Sequence, residues 1–191
     1  QWIPPGQPYP LSIDGQHGPA PGDVMTNPHL AQVLRDLGNH GAKDGFYCGA
    51  AGKAIVQAIQ QHGGTMTEQD LASHTSTFPQ PISTTYRGIK LWQVPPNGQG
   101  IAGLVALCGL QQLEEAEKCI KITPDNIGTA DSYHALIEMM RLGFSDARQY
   151  VTDERHVPVA LDWLLDTTRI GDRAVELFQQ DRATIAGSPL P

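Results

Sequence analysis

The 191 residues predict a mainly α protein, α+β overall, with about six packed helices and one β-hairpin. Three observations carry that expectation. Apolar residues recur in several stretches at the 3.6-residue period of one helix face. Capping residues, prolines and glycines stand where those stretches begin and end. Two β-branched and aromatic runs are separated by only two residues, the spacing of a tight hairpin.

Residues 1–23 hold six prolines and four glycines without periodicity and read as an extended leading segment. Asn27-Pro28 is a helix start, an amide cap followed by proline where a missing N–H costs nothing. Leu30, Val33, Leu34 and Leu37 then form one apolar stripe, which Gly38 and Gly41 end. A second helix is expected over 49–62, with Ala51, Ile55, Ala58 and Ile59 buried and Gly63-Gly64 as its stop. Thr67 and Asp70 have capping-box spacing and should start a short helix through Ala72. Residues 82–86 and 89–94 form the hairpin around Arg87-Gly88. Residues 101–113 are apolar nearly all round, the mark of a buried helix, in which Gly103 and Gly109 permit close backbone approach. A long helix over 129–142 offers Tyr133, Leu136, Ile137 and Met140 for packing, with 146–150 continuing it after an interruption at Gly143. Shorter helices follow over 158–165 and 170–178. The tail, 187–191, is expected to be loose. No repeat or linker marks a boundary, so 24–186 read as a single helical domain.

Composition excludes several classes. A hydrophobic share of 40% and a charged share of 17% are those of a globular chain, not a disordered one. The net charge of -7, with no Lys/Arg cluster, gives no footprint for nucleic acid or an anionic membrane. No apolar run reaches the ~18 residues that span a bilayer. No secretory signal opens the chain, and the sequence assigns no compartment. Three cysteines without paired spacing do not make a disulfide framework. Cys48 and Cys108, set among small apolar residues, read as buried thiols.

The chemistry-bearing candidates are few. Gly98-Gln99-Gly100-Ile101-Ala102-Gly103 matches the dinucleotide fingerprint, with Asp125 at about the right distance beyond it. Pro95-Pro96-Asn97 separates the strand from those glycines, and no β-α-β rhythm surrounds them. Seven histidines show no ligand spacing and read as surface residues. Glu138 and Asp146 could form an acid/base pair, against the simpler reading of paired helix residues. Residues 146–150 read as a helix-end network of Asp, Arg and Tyr that fixes a turn. No G-x-S-x-G elbow is present.

Five phrases in order carry a resemblance. They are Asn27-Pro28 with Leu30, Ala31 and Leu34, then Gly45-Phe46-Tyr47-Cys48-Gly49, then Gly63-Gly64 with Met66, Thr67, Asp70 and Leu71. Tyr86-Arg87-Gly88, leading into Pro95-Pro96-Asn97-Gly98-Gln99-Gly100, and finally Phe144-Ser145-Asp146-Ala147-Arg148-Gln149-Tyr150 complete the set. Together they resemble the heavy chain of the γ-glutamyltransferase (glutathione hydrolase) family, over nearly everything beyond Gly22. The Pro-Pro-Asn-Gly-Gln-Gly form is closer to its acylase-like branch. One departure is Ala147, which splits the family's usual Asp-Arg pair.

The resemblance implies an N-terminal-nucleophile hydrolase. Such a proenzyme cuts itself before a threonine, whose freed α-amine serves as base for its own hydroxyl. A Gly-Gly pair stabilises the oxyanion, and an arginine early in the heavy chain holds the substrate carboxylate. None of those residues carries over to this chain. Thr84-Thr85-Tyr86 falls in the hairpin, and Thr167-Thr168-Arg169 lacks the following His and Ser. Arg35 and Arg87 sit in the wrong phrases, and Gln1 is no nucleophile. The expected assignment is therefore no catalytic, cofactor-binding or metal-binding residue and no cofactor. The chain is expected to be an inactive scaffold segment partnered by the light (small) chain of the same proenzyme, which meets γ-glutamyl substrate only in the complete enzyme. It should expose apolar surface when alone, with 101–113 the first candidate. The alternatives are a truncated, non-catalytic binding or structural relative and, behind that, a dinucleotide-binding module.

Overall fold

The computed structural model describes residues 17–183. The chain divides into two compact units between Thr77 and Phe78. Of the leading segment, 17–23 hold a turn at Pro21-Gly22 and no helix or strand, while 1–16 and the tail 187–191 lie outside the described residues.

In the first unit, α1 (Pro28–Ala42) starts as expected, with Asn27 Oδ1 accepting from Leu30 N at 2.9 Å. Gly41, at φ 74°, breaks it, and the chain resumes in a π-helical turn, Lys43–Tyr47. Two more helices follow, α2 (Ala50–Gln61) and α3 (Glu68–Ala72). The capping box at α3 forms with aspartate: Thr67 N donates to Asp70 Oδ2 at 2.7 Å and Asp70 N to Thr67 Oγ1 at 3.3 Å. Those bonds from Thr67 hold the Asp70 carboxyl below its ordinary pKa. The glycines of the Phe-Tyr phrase have a steric reason. A β-carbon at Gly45 would lie 2.3 Å from Asp36 O of α1, and one at Gly52 would lie 2.2 Å from Tyr47 O. Only glycine lets the π-turn sit on α1, and α2 on the π-turn, at that distance.

The apolar stripes of this unit are not covered as their periodicity predicts. Leu30 and Leu34 are 52% and 58% exposed, Ile55 and Ala58 are exposed, and Val33 and Leu37 are half-buried. Gly45, Gly52 and Val56 are the buried residues of these helical elements. Period 3.6 identifies an apolar face; it does not supply the element that covers it. Cys48 likewise is exposed, not buried, because it follows the π-turn on its solvent side.

The second unit is built around α4 (Gly100–Glu115). Nine of its residues are buried, including Leu104, Leu110 and Leu113, and each such leucine contributes about 1.5–3 kcal/mol. This helix is thus the covered core and not the exposed liability; exposed apolar side chains lie elsewhere, among them Leu30 and Leu34 of α1 and Phe78, Val94 and Ile127. Against α4 pack β1 (Ile82–Tyr86) and β2 (Ile89–Gln93), the long α5 (Ala130–Tyr150), and α7 (Thr167–Leu177). The single turn α6 (Leu161–Leu164) is shorter than expected. Two apolar clusters result. Ala106, Leu110 and Leu113 meet Ala135, Met139 and Leu142 of α5 and Ala174 of α7. Ile101, Val105 and Cys108 meet Leu164 and Ile170, with Ile82 of the hairpin packed on them.

Helix α5 runs straight through Gly143. A β-carbon there would stand 2.2 Å from Ala102 O, so this glycine is where α5 touches α4, not an interruption. The buried stripe of α5 is also offset from the expected one: Ala135, Met139 and Leu142 are inside, while Tyr133 and Ile137 are each 55% exposed. Helix α7 begins three residues before the expected 170, where Asp166 Oδ1 accepts from Arg169 N at 2.7 Å. The seven α-helices and one antiparallel hairpin among the described residues make the predicted mainly α fold, with five long helices and two single turns.

Candidate functional site

Every buried carboxylate in the second unit is held by arginine. The turn residues Arg87 and Gly88 both have positive φ, 49° and 79°, as a type I′ hairpin requires. Arginine is strained there, and its side chain compensates. Nε donates to Glu114 Oε2 at 3.0 Å, Nη2 donates to Oε1, Nη1 reaches Ile122 O, and the backbone N donates to Gln111 Oε1 at 2.9 Å. Glu114 also accepts from Tyr86 Oη and Ile122 N, both at 3.1 Å. Burial, then the Glu114 charge, push the Tyr86 phenol up to about 12. The same two causes push the Cys119 thiol up to about 11. This is a clamp that fixes hairpin to helix, and its arginine is fully engaged.

Asp146 is 1% exposed and sits between two arginines of α7. Arg173 Nη1 donates to its Oδ1, and Arg169 Nη2 to its Oδ2 at 2.9 Å. Arg169 further donates to Trp163 O and Leu164 O, each at 2.9 Å, and its guanidinium lies 4.1 Å over the Trp163 ring. Tyr150 meets that ring edge-on at 5.1 Å. The network is therefore long-range, from α5 to α7. The expected helix-end pairing with Arg148 does not form, because Arg148 points to solvent. Glu138 is paired with Arg141 Nη1 at 2.6 Å. Eight residues of helix separate Glu138 from Asp146, about 12 Å along the axis, too far for one acid/base site.

The remaining candidates lie apart. Arg35 is exposed on α1 and bonds Gln32 at 3.2 Å. Thr84 and Thr85 are in β1, and Thr167 and Thr168 open α7. Thr84 and Thr167 meet beside Cys108, where burial raises the thiol pKa more than their hydroxyls lower it. The cavity lined by Thr84, Thr167 and Cys108 has no histidine or carboxylate in its lining that could serve as base. The glycine turn does not make a nucleotide cradle. Its strand belongs to a two-stranded antiparallel hairpin, so no β-α-β unit precedes α4. Gly103, which in the fingerprint permits close helix–strand packing, has nothing within 4 Å of a β-carbon.

One juxtaposition escaped the sequence. Cys119, Asp131 and His134 line a cavity of about 190 Å³. His134 Nε2 is committed to Gln179 O at 2.7 Å, and the neighbouring thiol is raised, not activated. Six of the seven histidines are exposed, and no group of three or more His, Cys, Asp or Glu among the described residues could hold a metal ion. No described helix is long and apolar enough to cross a membrane.

Comparison with known proteins places the chain. The gamma-glutamyltranspeptidase family profile matches residues 10–188. The glutathione hydrolase-like YwrD proenzyme of Bacillus subtilis is 32% identical over 161 residues, 83% of this chain and 29% of that protein. Among solved structures, Helicobacter pylori gamma-glutamyltranspeptidase superposes with a TM-score of 0.65 at 25% identity, covering 93% of this chain and 48% of that one. Cephalosporin acylase from Bacillus halodurans gives 0.65 at 31% identity, covering 88% and 30%. The chain thus spans under a third of that curated relative's length. With the Phe-Tyr, Gly-Gly, hairpin and Pro-Pro phrases each serving a close backbone contact, a cap or a turn, and with the profile running through both units, this chain belongs to the gamma-glutamyltranspeptidase family.

Proposed function

We propose that the chain is a scaffold segment of a γ-glutamyltransferase-like N-terminal-nucleophile hydrolase, a proenzyme that transfers or hydrolyses γ-glutamyl groups of glutathione-like amides. Its nucleophilic threonine and oxyanion donors would come from polypeptide outside these 191 residues, and the light chain of the same proenzyme is its partner. The single observation that carries this reading is the family match over 10–188. The match runs across both units, which supports reading 24–186 as one domain. The exposed Leu30 and Leu34 of α1 are the face such a partner would cover.

The test is turnover of a γ-glutamyl anilide. The purified 191-residue chain is expected to release aniline no faster than buffer. The longer reading frame containing it should cleave itself before a threonine and turn the substrate over. Catalysis by the short chain that survives removal of contaminants would defeat the proposal. A native reading frame of only this length would favour the non-catalytic relative instead.

A further inference from the structure

The hairpin has an edge that nothing in the second unit pairs. Its register places Tyr86 opposite Ile89, Thr84 opposite Leu91 and Ile82 opposite Gln93. A two-residue turn makes the flanking pair a hydrogen-bonded one, and the pattern then alternates. The main-chain groups of Ser83 and Thr85 therefore point away from β2, toward the outer edge of β1. Neither residue makes a backbone bond elsewhere among the described residues. Two strands alone are a marginal sheet, and an open edge is a template for a third.

Beside that edge runs an open groove. Between 80–83 and the α6–α7 junction lies a cavity of about 600 Å³. A second, of about 350 Å³, continues past Thr84 and Thr85 and shares Ser83, Leu165 and Thr167 with the first. The groove follows β1 from Ile82 to Thr85, roughly 13 Å at the rise of a strand. Its ends differ in charge: Asp162 and Asp166 flank one, and Lys90 the other.

We propose that this groove receives an extended segment of the proenzyme polypeptide from outside these 191 residues, which adds to β1 as a third strand. The proposal rests on the scaffold reading above. The chain covers 29% of the length of its Bacillus subtilis relative, so ample polypeptide of that protein lies beyond the match. Main-chain pairing with Ser83 and Thr85 supplies affinity, and the groove's polarity sets direction, with a basic residue of the segment beside Asp162 and an acidic one toward Lys90.

Residue-resolved amide exchange of the 191-residue chain alone and of the full proenzyme tests this. Ser83 and Thr85 should exchange about 100-fold more slowly in the proenzyme, while Trp92, on the opposite edge, changes little. Thr85→Pro removes an outward donor without touching the β1–β2 ladder, and should abolish the protection of Ser83 where Trp92→Pro does not. Assembly without protection of Ser83 and Thr85 overturns the third strand and leaves the scaffold reading standing. Failure of the two parts to assemble overturns the scaffold reading, and the strand's source with it. Protection already present in the isolated chain, or rising with its concentration, assigns the groove to the chain itself or to a second copy and overturns the proposal.

Discussion

Two glycine-to-alanine substitutions in touching helices should move stability in opposite directions. In a helix interior, alanine is favoured over glycine by about 0.8–1 kcal/mol. At Gly143 that gain is opposed by geometry. The new β-carbon would lie 2.2 Å from Ala102 O and 3.0 Å from Ala102 C, both backbone atoms that no rotamer change can withdraw. Helix α5 must lift from α4 across the Ala135–Met139–Leu142 contact, and overpacking of this kind costs about 1–3 kcal/mol. A backbone contact of 2.2 Å belongs at the upper end of that range, about 2–3 kcal/mol, so Gly143→Ala should destabilise by about 1–2 kcal/mol net. At Gly103, one turn into α4, nothing lies within 4 Å, and the substitution should stabilise by about 0.5–1 kcal/mol. Thermal unfolding followed by far-UV circular dichroism reads both. Each kcal/mol shifts the midpoint by roughly 2–4 °C in a chain of this size, so the two variants should separate by about 3–12 °C. Equal shifts, or stabilisation by both, would refute the claim that Gly143 sets the approach of α5 to α4.

Three further outcomes follow from the clamp and the thiols. Glu114→Gln removes the charge that Arg87, Tyr86 and Ile122 share, and should cost about 2 kcal/mol in urea unfolding; no loss would mean the clamp contributes nothing. The difference absorbance between the wild type and Tyr86→Phe at alkaline pH should titrate near 12, against an ordinary 10.0. The raised phenol favours the folded state below pH 10, and that contribution is lost as pH rises toward 12; a midpoint near 10 would contradict burial of this tyrosine against Glu114. In native buffer Ellman's reagent should label Cys48 quickly and the raised thiols Cys108 and Cys119 slowly, whereas three equal rates would contradict the packing around α4.

Local punctuation was legible because each signal acts over a few residues. Asn27-Pro28, Thr67 with Asp70 and the two-residue hairpin all form where the sequence places them. What failed depended on partners far along the chain. Gly143 reads as a breaker in isolation but is a contact point once α4 lies beneath it. The Arg148 pairing failed because Arg169 and Arg173 approach Asp146 from 23 and 27 residues away. The stripes of α1 and α2 were correctly apolar, yet no described element of their unit covers them. Asp166 as a cap was within reach of sequence reasoning, since Asp followed by Thr-Thr is a helix start; the apolar Ile170 drew the boundary too late.

The disposition of charge in the second unit is consistent with the scaffold role proposed for this chain. Glu114, Glu138 and Asp146 are the buried carboxylates, and each accepts hydrogen bonds from arginine. Those bonds occupy the oxygens of Glu114 and Asp146 with guanidinium donors. The hydroxyls and thiol beside β1 face the opposite problem: they have space around them but no base to take their proton. General acid–base work needs an available titratable group next to a nucleophile, and the second unit lines its cavity beside β1 with neither histidine nor carboxylate. Its polar interior is spent on holding the hairpin and α7 at fixed positions against one apolar helix. That rigidity is what a scaffold contributes when the reacting groups stand on neighbouring polypeptide, where displacement by about 1 Å already costs a large part of the rate.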